Sequence, residues 1–241
     1  MALIKLSSIG ITNLSGKAGG SVFAHNKGGK YVRNFAVPSN PSTPKQQEVR
    51  GSFGGFAGAW RGLTQSQRDQ WNSIAPDYPQ VDRFGDAKSI SGFNLFISLN
   101  QNLRNGDQSP IFAPLAPTGT AAPLGLAIQA VGLDTTTDTL DFGVLFTFDN
   151  MGAVVNDSII LEATAPVSAG VNNVKNKYRV IQVEEATTSP MSIRIEDAYI
   201  AAFGMPPIGG KIGVRAKFLN NDTGETSSYV SAIGIVADDT P

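Results

Sequence analysis

Between Leu124 and Ala237 the chain breaks into seven short runs in which apolar side chains return at every second position. They are LGLAIQAVGL, TLDFGVLFTF, SIILEATAPV, KYRVIQVEE, MSIRIED, KIGVRAKFLN and SSYVSAIGIVA. A strand turns successive side chains to opposite faces, so a period of two marks half-buried strands rather than helices. Phe142, Val144, Phe146 and Phe148 share one face, as do Val214, Ala216 and Phe218. Most runs are bounded by Asn, Asp, Gly or Pro, and Asn220-Asn221-Asp222-Thr223-Gly224 joins the last two as a hairpin loop.

Strands of this kind bury their apolar faces against a second sheet. Seven of them in roughly 115 residues predict a β-sandwich of the immunoglobulin-like or fibronectin-III-like kind. There is no cysteine, so an antibody-type Cys-Trp-Cys core is not indicated. DAYIAAFG, between the fifth and sixth runs, reads as one helical turn crossing between sheets.

Upstream the period changes. Thr43-Pro44-Lys45-Gln46 reads as a capping box with proline in the first turn, and Val49, Phe53, Phe56 and Trp60 then recur on one helical face. Gly51, Gly54, Gly55 and Gly58 weaken that helix by up to ~1 kcal/mol each relative to alanine. Packing must therefore hold it, and the glycines would admit another backbone closely. Gly62 ends it. Thr64-Gln65-Ser66-Gln67 is a second capping box, Trp71, Ile74 and Ala75 form the next apolar face, and Pro76 stops it. A third helix is expected from Ser91 to Leu103, with Phe93, Phe96, Ile97, Asn100 and Leu103 on one side. Helices are thus expected at about 44–61, 65–75 and 91–103.

The opening segment reads as β. Val22 and Ala24 alternate with Phe23 and His25, and Tyr31, Arg33 and Phe35 alternate with Val32 and Asn34. The Asn26-Lys27-Gly28-Gly29 between them is a hairpin turn signal. This arm, residues 10–36, exposes Lys27, Lys30 and Arg33, so its surface is expected to be cationic.

Two proline-rich stretches punctuate the chain, AVPSNPSTP at 36–44 and NGDQSPIFAPLAPTGTAAPLG at 105–125. Such stretches act as semi-rigid spacers. The second places a domain boundary near Ala113, giving an N-terminal module over 1–112 and an Ig-like unit over 113–241. The overall class is α+β and multidomain. Charge follows the same division. Residues 1–105 carry 12 Lys+Arg against 5 Asp+Glu, a balance of +7, and residues 106–241 carry 7 against 15, a balance of −8. Opposite poles on one chain suit different neighbours and permit head-to-tail attraction between copies.

Several chemistries lack their parts. Without cysteine there is no disulfide, no thiolate nucleophile and no Cys-ligated zinc. A Ser/His/Asp triad would have to use His25, the only histidine, whose nearest acid in sequence is Glu48. The glycine-rich arm matches neither GxxxxGK[ST] nor GxGxxG. The carboxylate pairs Asp138/Asp141, Glu184/Glu185, Glu196/Asp197 and Asp238/Asp239 show no sign of a shared cleft. Asp134, Asp138 and Asp141 leave calcium as a minor alternative, though the spacing is not an EF-hand. The second helix offers Gln65, Gln67, Arg68, Gln70 and Asn72, types able to read base edges, yet a packed αα-hairpin is the more ordinary reading. Tyr178, Tyr199 and Tyr229 look too scattered for a sugar platform. No run is apolar enough to cross a bilayer and the start shows no signal-peptide pattern, so no membrane partner and synthesis in a cytoplasm are expected.

The string GKAGGSVFAHNKGGKYVRNFAVPSNPSTPKQQEVRGSF, followed by AWRGLTQSQRDQWNSIA and SGFNLFISLNQNL, resembles a family of virion structural proteins. Tailed bacteriophages and prophages encode this family, crAss-like phages and others of Bacteroidetes-type hosts among them. The features that carry the resemblance are Gly16, Gly19, Gly20, Asn26, Gly28, Gly29, Tyr31, Val32 and Arg33, then Pro38, Asn40, Pro41, Thr43, Gln47 and Arg50. Trp60, Leu63, Thr64, Gln67, Arg68, Trp71, Asn94, Phe96 and Asn100 complete them. They lie in roughly residues 10–103. The C-terminal runs resemble the Ig-like modules that phages append to capsid and tail proteins.

The resemblance implies a non-enzymatic virion component with no cofactor, assembled in the host cytoplasm. Its partners would be the major capsid protein or portal and tail proteins, and copies of itself. A head-associated auxiliary or decoration role is favoured, a portal, neck or tail position is the alternative, and nucleic-acid binding is possible but not favoured. Lys17, Lys27, Lys30, Tyr31, Arg33, Arg50, Trp60 and Trp71 are the expected assembly contacts.

Overall fold

The computed structural model describes residues 2–3, 15–26, 29–78, 88, 90–120, 123–137, 139–147, 157–171, 173–174, 177–187 and 189–239. Lys27, Gly28, Asp138, Phe148 and the start of the arm at 10–14 lie outside them. Within the described residues the chain is mixed α+β, with four α-helices and three four-stranded sheets.

The first sheet is the arm. Strands β1 (Ala2–Leu3), β2 (Gly16–Ala18), β3 (Ser21–Asn26) and β4 (Gly29–Asn34) stand in the order β1-β4-β3-β2. The two alternating runs pair antiparallel from Ser21 opposite Asn34 to Asn26 opposite Gly29. Gly29 sits at φ +111°, where a side chain would be strained. The short strand β1 lies before the arm expected at 10–36 and joins its far edge through Ala2 opposite Val32.

Three helices follow: α1 (Pro44–Gly62), α2 (Gln65–Ile74) and α3 (Gly92–Asn105). A single 3-10 turn, Ala75–Asp77, follows α2 at Pro76. The box at Thr64 is complete, with Gln67 N donating to Thr64 Oγ1 at 3.3 Å and Thr64 N donating to Gln67 Oε1 at 2.9 Å. The box expected at Thr43 is only half made. Gln46 N reaches Thr43 Oγ1 at 3.4 Å, but the Gln46 side chain does not return. Instead Gln47 Nε2 donates to the Ser42 carbonyl at 3.1 Å.

The helices pack around aromatic side chains. Trp71 meets Phe96 edge-on at 5.3 Å between ring centres, and Trp60 lies 5.6 Å from both Phe93 and Phe96. Leu63, Leu95, Leu99, Ala75 and Tyr78 fill the rest of this core. Helices α1 and α3 run antiparallel, tied by Arg104 to Glu48 at 2.7 Å and Ser52 to Gln101 at 2.9 Å. Val49 and Phe53 sit to one side of that line and stay 49% and 52% exposed, so only Phe56 and Trp60 of the expected face pack inward. The glycines of α1 have no neighbour within 4 Å of where a Cβ would be, so no backbone approaches them.

All seven runs downstream are strands: β5 (Gly125–Asp134), β6 (Thr139–Thr147), β7 (Asp157–Thr164), β8 (Tyr178–Glu185), β9 (Met191–Arg194), β10 (Lys211–Asn220) and β11 (Val230–Ile235). A two-residue strand, β12 (Ala237–Asp238), adds parallel to β5. One sheet is ordered β12-β5-β6-β9 and the other β11-β10-β7-β8. Phe142, Val144 and Phe146 of the first share one apolar core with Ile159, Leu161, Ile212, Val214 and Phe218 of the second. Helix α4 (Glu196–Phe203) is longer than the single turn expected and delivers Tyr199 into that core, 5.3 Å from Phe142. The Tyr199 hydroxyl donates to the Thr164 carbonyl at 3.1 Å, which satisfies the one polar atom brought inside.

Residues 105–125 are not a free spacer. They form a strap from the helices to the β10–β11 loop. Gln108 N donates to the Leu103 carbonyl at 2.8 Å, Trp71 Nε1 to the Phe112 carbonyl at 3.0 Å and Tyr78 Oη to the Leu115 carbonyl at 2.9 Å. Asn100 is fully buried and bonds both backbone groups of Ile111. At the other end Thr118 donates to Glu225 Oε2 through its amide at 2.9 Å and its hydroxyl at 3.1 Å. Helix α3 itself seats on that loop. Asn102 Nδ2 donates to the Gly224 carbonyl at 3.0 Å, and a Cβ on Gly224 would come 2.6 Å from the Leu99 carbonyl oxygen. A Cβ on Gly106 would run into Leu219, on the outer face of β10. The α3 end covers part of that sheet, which is why Leu219 is buried although it points away from the inter-sheet core.

Candidate assembly surface

The arm's register decides which of its side chains act together. Residues directly opposite across an antiparallel pair share a face. Lys17 stands opposite Val22, and Val22 opposite Arg33, so Lys17 and Arg33 flank an apolar residue in one row. Tyr31 and Phe35 alternate with Arg33 onto the same face, and Lys17 Nζ lies 3.8 Å from the Phe35 ring centre. Lys30 stands opposite His25, in the row with Phe23 and Val32 on the reverse face. Of the four described arm candidates, three are thus brought together and Lys30 is not.

Among the arm residues whose side chains are described, none is buried. Val22, Phe23, Tyr31 and Val32 are half covered by their own sheet, and Arg33 and Phe35 are exposed. A small sheet in water gains most of its stability by hiding one apolar face. Among the described side chains of this one, neither face is fully buried.

The helical candidates separate. Arg50 is exposed beside the proline-rich stretch 36–44, donating to Asn40 Oδ1 at 2.7 Å. Trp60 is half buried at the edge of the aromatic core. Trp71 is corrected from a contact to a core residue: it is 0% exposed, ringed by the helical core, with its indole nitrogen bonded to the strap. The periodicity that marked it as apolar placed it inward.

The acidic pole also has a definite form. A cleft of about 370 Å³ opens between the end of α3 and the start of β7, lined by Asp107, Gln108, Ser158, Glu184, Glu185 and Asn221. No Lys or Arg is among its described lining residues. Next to it the Asp157 carboxyl is pushed up to about 6, first by burial and then by the nearby Asp222. Its Oδ1 is sealed from solvent and accepts no hydrogen bond.

The sequence missed one cluster. The Arg215 guanidinium stacks between the rings of Tyr178, 4.3 Å away, and Tyr229, 4.0 Å away. Its nitrogens bond Glu162 Oε2 at 2.8 and 2.5 Å, and Tyr229 Oη donates to Glu162 Oε1 at 2.8 Å. Burial and Glu162 push the Tyr229 phenol up to about 12. Two of the three tyrosines that look scattered in sequence therefore meet on the outer face of the β7/β10 sheet, and Tyr199 lies in the core. The alternation of Arg215 with Val214 and Ala216 was the available signal, since it put Arg215 on the outer face.

The other candidate chemistries are accounted for by local bonds. His25 is exposed opposite Lys30. Asp134 accepts from Thr136 N, Thr137 N and Thr137 Oγ1, the last at 2.7 Å, and so organises a turn. Asp141 and Glu196 both hold Arg194, at 2.9 and 2.6 Å. Among the described residues no group of three His, Cys, Asp or Glu could hold a metal ion, and no helix is long and apolar enough to cross a membrane. Of the base-reading candidates on α2, Gln67 completes the cap, Gln65 bonds Asp69 at 2.8 Å and Arg68 caps the Arg61 and Leu63 carbonyls, each at 2.8 Å. Asn72 Oδ1 accepts from Gly92 N at 3.1 Å. No known family model matches the chain, and none of the curated proteins matches it.

Proposed function

We propose that this chain is a non-enzymatic structural component of a tailed-bacteriophage virion, head-associated as an auxiliary or decoration protein. It docks by its basic N-terminal module and displays an Ig-like or fibronectin-III-like β-sandwich. The observation that carries the reading is the arm: four paired strands, cationic, with no described side chain buried. A surface of that kind is completed by a partner. The strand order supports the sandwich assignment. The first, second and fifth strands (β5, β6, β9) face the fourth, third, sixth and seventh (β8, β7, β10, β11), a fibronectin-III-like arrangement. The strap supports a mechanical role, since it ties the display unit to the docking unit.

A ring at the portal, neck or tail is the second reading, favoured by the opposite charge of the two halves. The test is mass spectrometry of purified particles, with the chain supplied whole or lacking residues 1–36. Peptides of the whole chain in the particle fraction, and their loss on truncation, are the expected result. Absence of the whole chain from particles overturns the function, and normal incorporation of the truncated chain overturns the role of the arm.

A further inference from the structure

We propose that the arm docks on a second copy of this chain, its Lys17–Tyr31–Arg33 face against the acidic cleft at Glu184 and Glu185 of the neighbour. This deepens the assembly reading above and rests on it only in taking the arm as the contact surface.

The two surfaces match in charge. The first acid of the chain is Glu48, and the 47 residues before it hold Lys5, Lys17, Lys27, Lys30, Arg33 and Lys45. Within residues 10–36 the arm holds Lys17, Lys27, Lys30 and Arg33 and no acidic residue. The cleft is the reverse, with Asp107, Glu184 and Glu185 in its lining and no Lys or Arg among the described lining residues. Juxtaposing the two surfaces offsets both excesses, and the halves of the chain nearly cancel at +7 and −8.

The tether, residues 35–43, runs exposed between the arm and α1, and Pro38 and Pro41 hold the stretch extended. The Arg50–Asn40 bond and the Gln47–Ser42 bond lay the tether's end along α1. Because the two contact surfaces differ, the association is head-to-tail and closes into a ring or continues as a filament.

Sedimentation velocity on the full chain tests this. The wild type should self-associate, with a dissociation constant rising about tenfold or more from low to high salt. Lys17→Glu with Arg33→Glu, or Glu184→Lys with Glu185→Lys, should each weaken association about tenfold. A one-to-one mixture of these two variants should associate, since each reversed arm then meets a reversed cleft. A wild type that stays monomeric, a mixture that fails to associate, or a reversal without effect overturns the proposal. Own-cleft docking gives the first outcome. A duplex DNA ligand binding the arm, with the mixture inert, gives the second. If circular dichroism shows a reversed variant unfolded, the Gln substitutions at the same positions replace it, and their failure to weaken association is equally fatal. Self-association of protein that is absent from particles would sink the virion function and leave this contact standing. A monomer found in particles would do the opposite.

Discussion

Asn100 gives the sharpest test of how the strap is held. It is 0% exposed on the apolar side of α3, and its amide nitrogen donates to the Phe96 carbonyl at 2.9 Å and the Ile111 carbonyl at 3.1 Å. Its Oδ1 accepts from Ile111 N at 2.7 Å. Asn100→Leu keeps the volume and removes all three bonds. Phe96 O keeps its place in the helix ladder, so the loss falls on the two backbone groups of Ile111. Leaving a partly buried donor and acceptor unmade costs about 1–3 kcal/mol each. The leucine returns some apolar transfer energy, so a net loss of about 2–4 kcal/mol is expected. Urea unfolding followed by tryptophan fluorescence reads it, because Trp71 bonds the same strap at Phe112. Hydrogen exchange at the Ile111 amide reads it locally, and its protection should fall with the global stability or further. A loss below about 1 kcal/mol, with Ile111 still protected, would refute the assignment of the strap to this side chain.

Other perturbations reach other parts of the molecule. Gly224→Ala should cost about 2 kcal/mol or more in a thermal or urea melt, because φ is +77° and the new Cβ would meet the Leu99 carbonyl; a change under about 0.5 kcal/mol would contradict the seating of α3. The Asp157 carboxyl holds its proton to about 6 in the folded chain against 3.8 unfolded, so stability should fall as pH rises from about 4 to about 6 and level off above. Asp157→Asn should flatten that window and gain about 1 kcal/mol at pH 7, solvent screening having reduced the full effect; an unchanged pH profile of the melting midpoint would refute it. Arg215→Lys should cost about 2 kcal/mol, since an ammonium can neither fork onto Glu162 nor stack between Tyr178 and Tyr229; Arg215→Lys melting with the wild type would show the stack to be incidental.

Local rules carried the elements and stopped at what those elements meet. The Thr64 cap and the alternation of Phe142, Val144 and Phe146 depend only on neighbours in the chain, so they could be read directly. Val49 and Phe53 show the limit. They repeat with Phe56 and Trp60, but α3 lies along Glu48 and Ser52 and leaves them outside. Proline content suggested a semi-rigid spacer at 105–125, and the bonds that pin its described part come from Asn100, Trp71, Tyr78 and Glu225, residues outside it. The arm's cations were visible at once. That Lys17 and Arg33 share a face while Lys30 does not needed the register of three strands. The Tyr178–Arg215–Tyr229 stack needed three separate segments to meet, and no period within one segment encodes that.

The strap also bears on how the display unit would be produced alone. A recombinant fragment opened at Ala113, the break that composition suggests, would discard Gly106 and all of α3. Leu219 would lose the chain that covers it, and Gly224 its donor from Asn102. Such a fragment would present an apolar patch to solvent and invite aggregation during purification. Opening instead just before Thr43 retains all three helices, both ends of the strap and the cover over β10. The practical unit of expression is longer than the sequence punctuation implies.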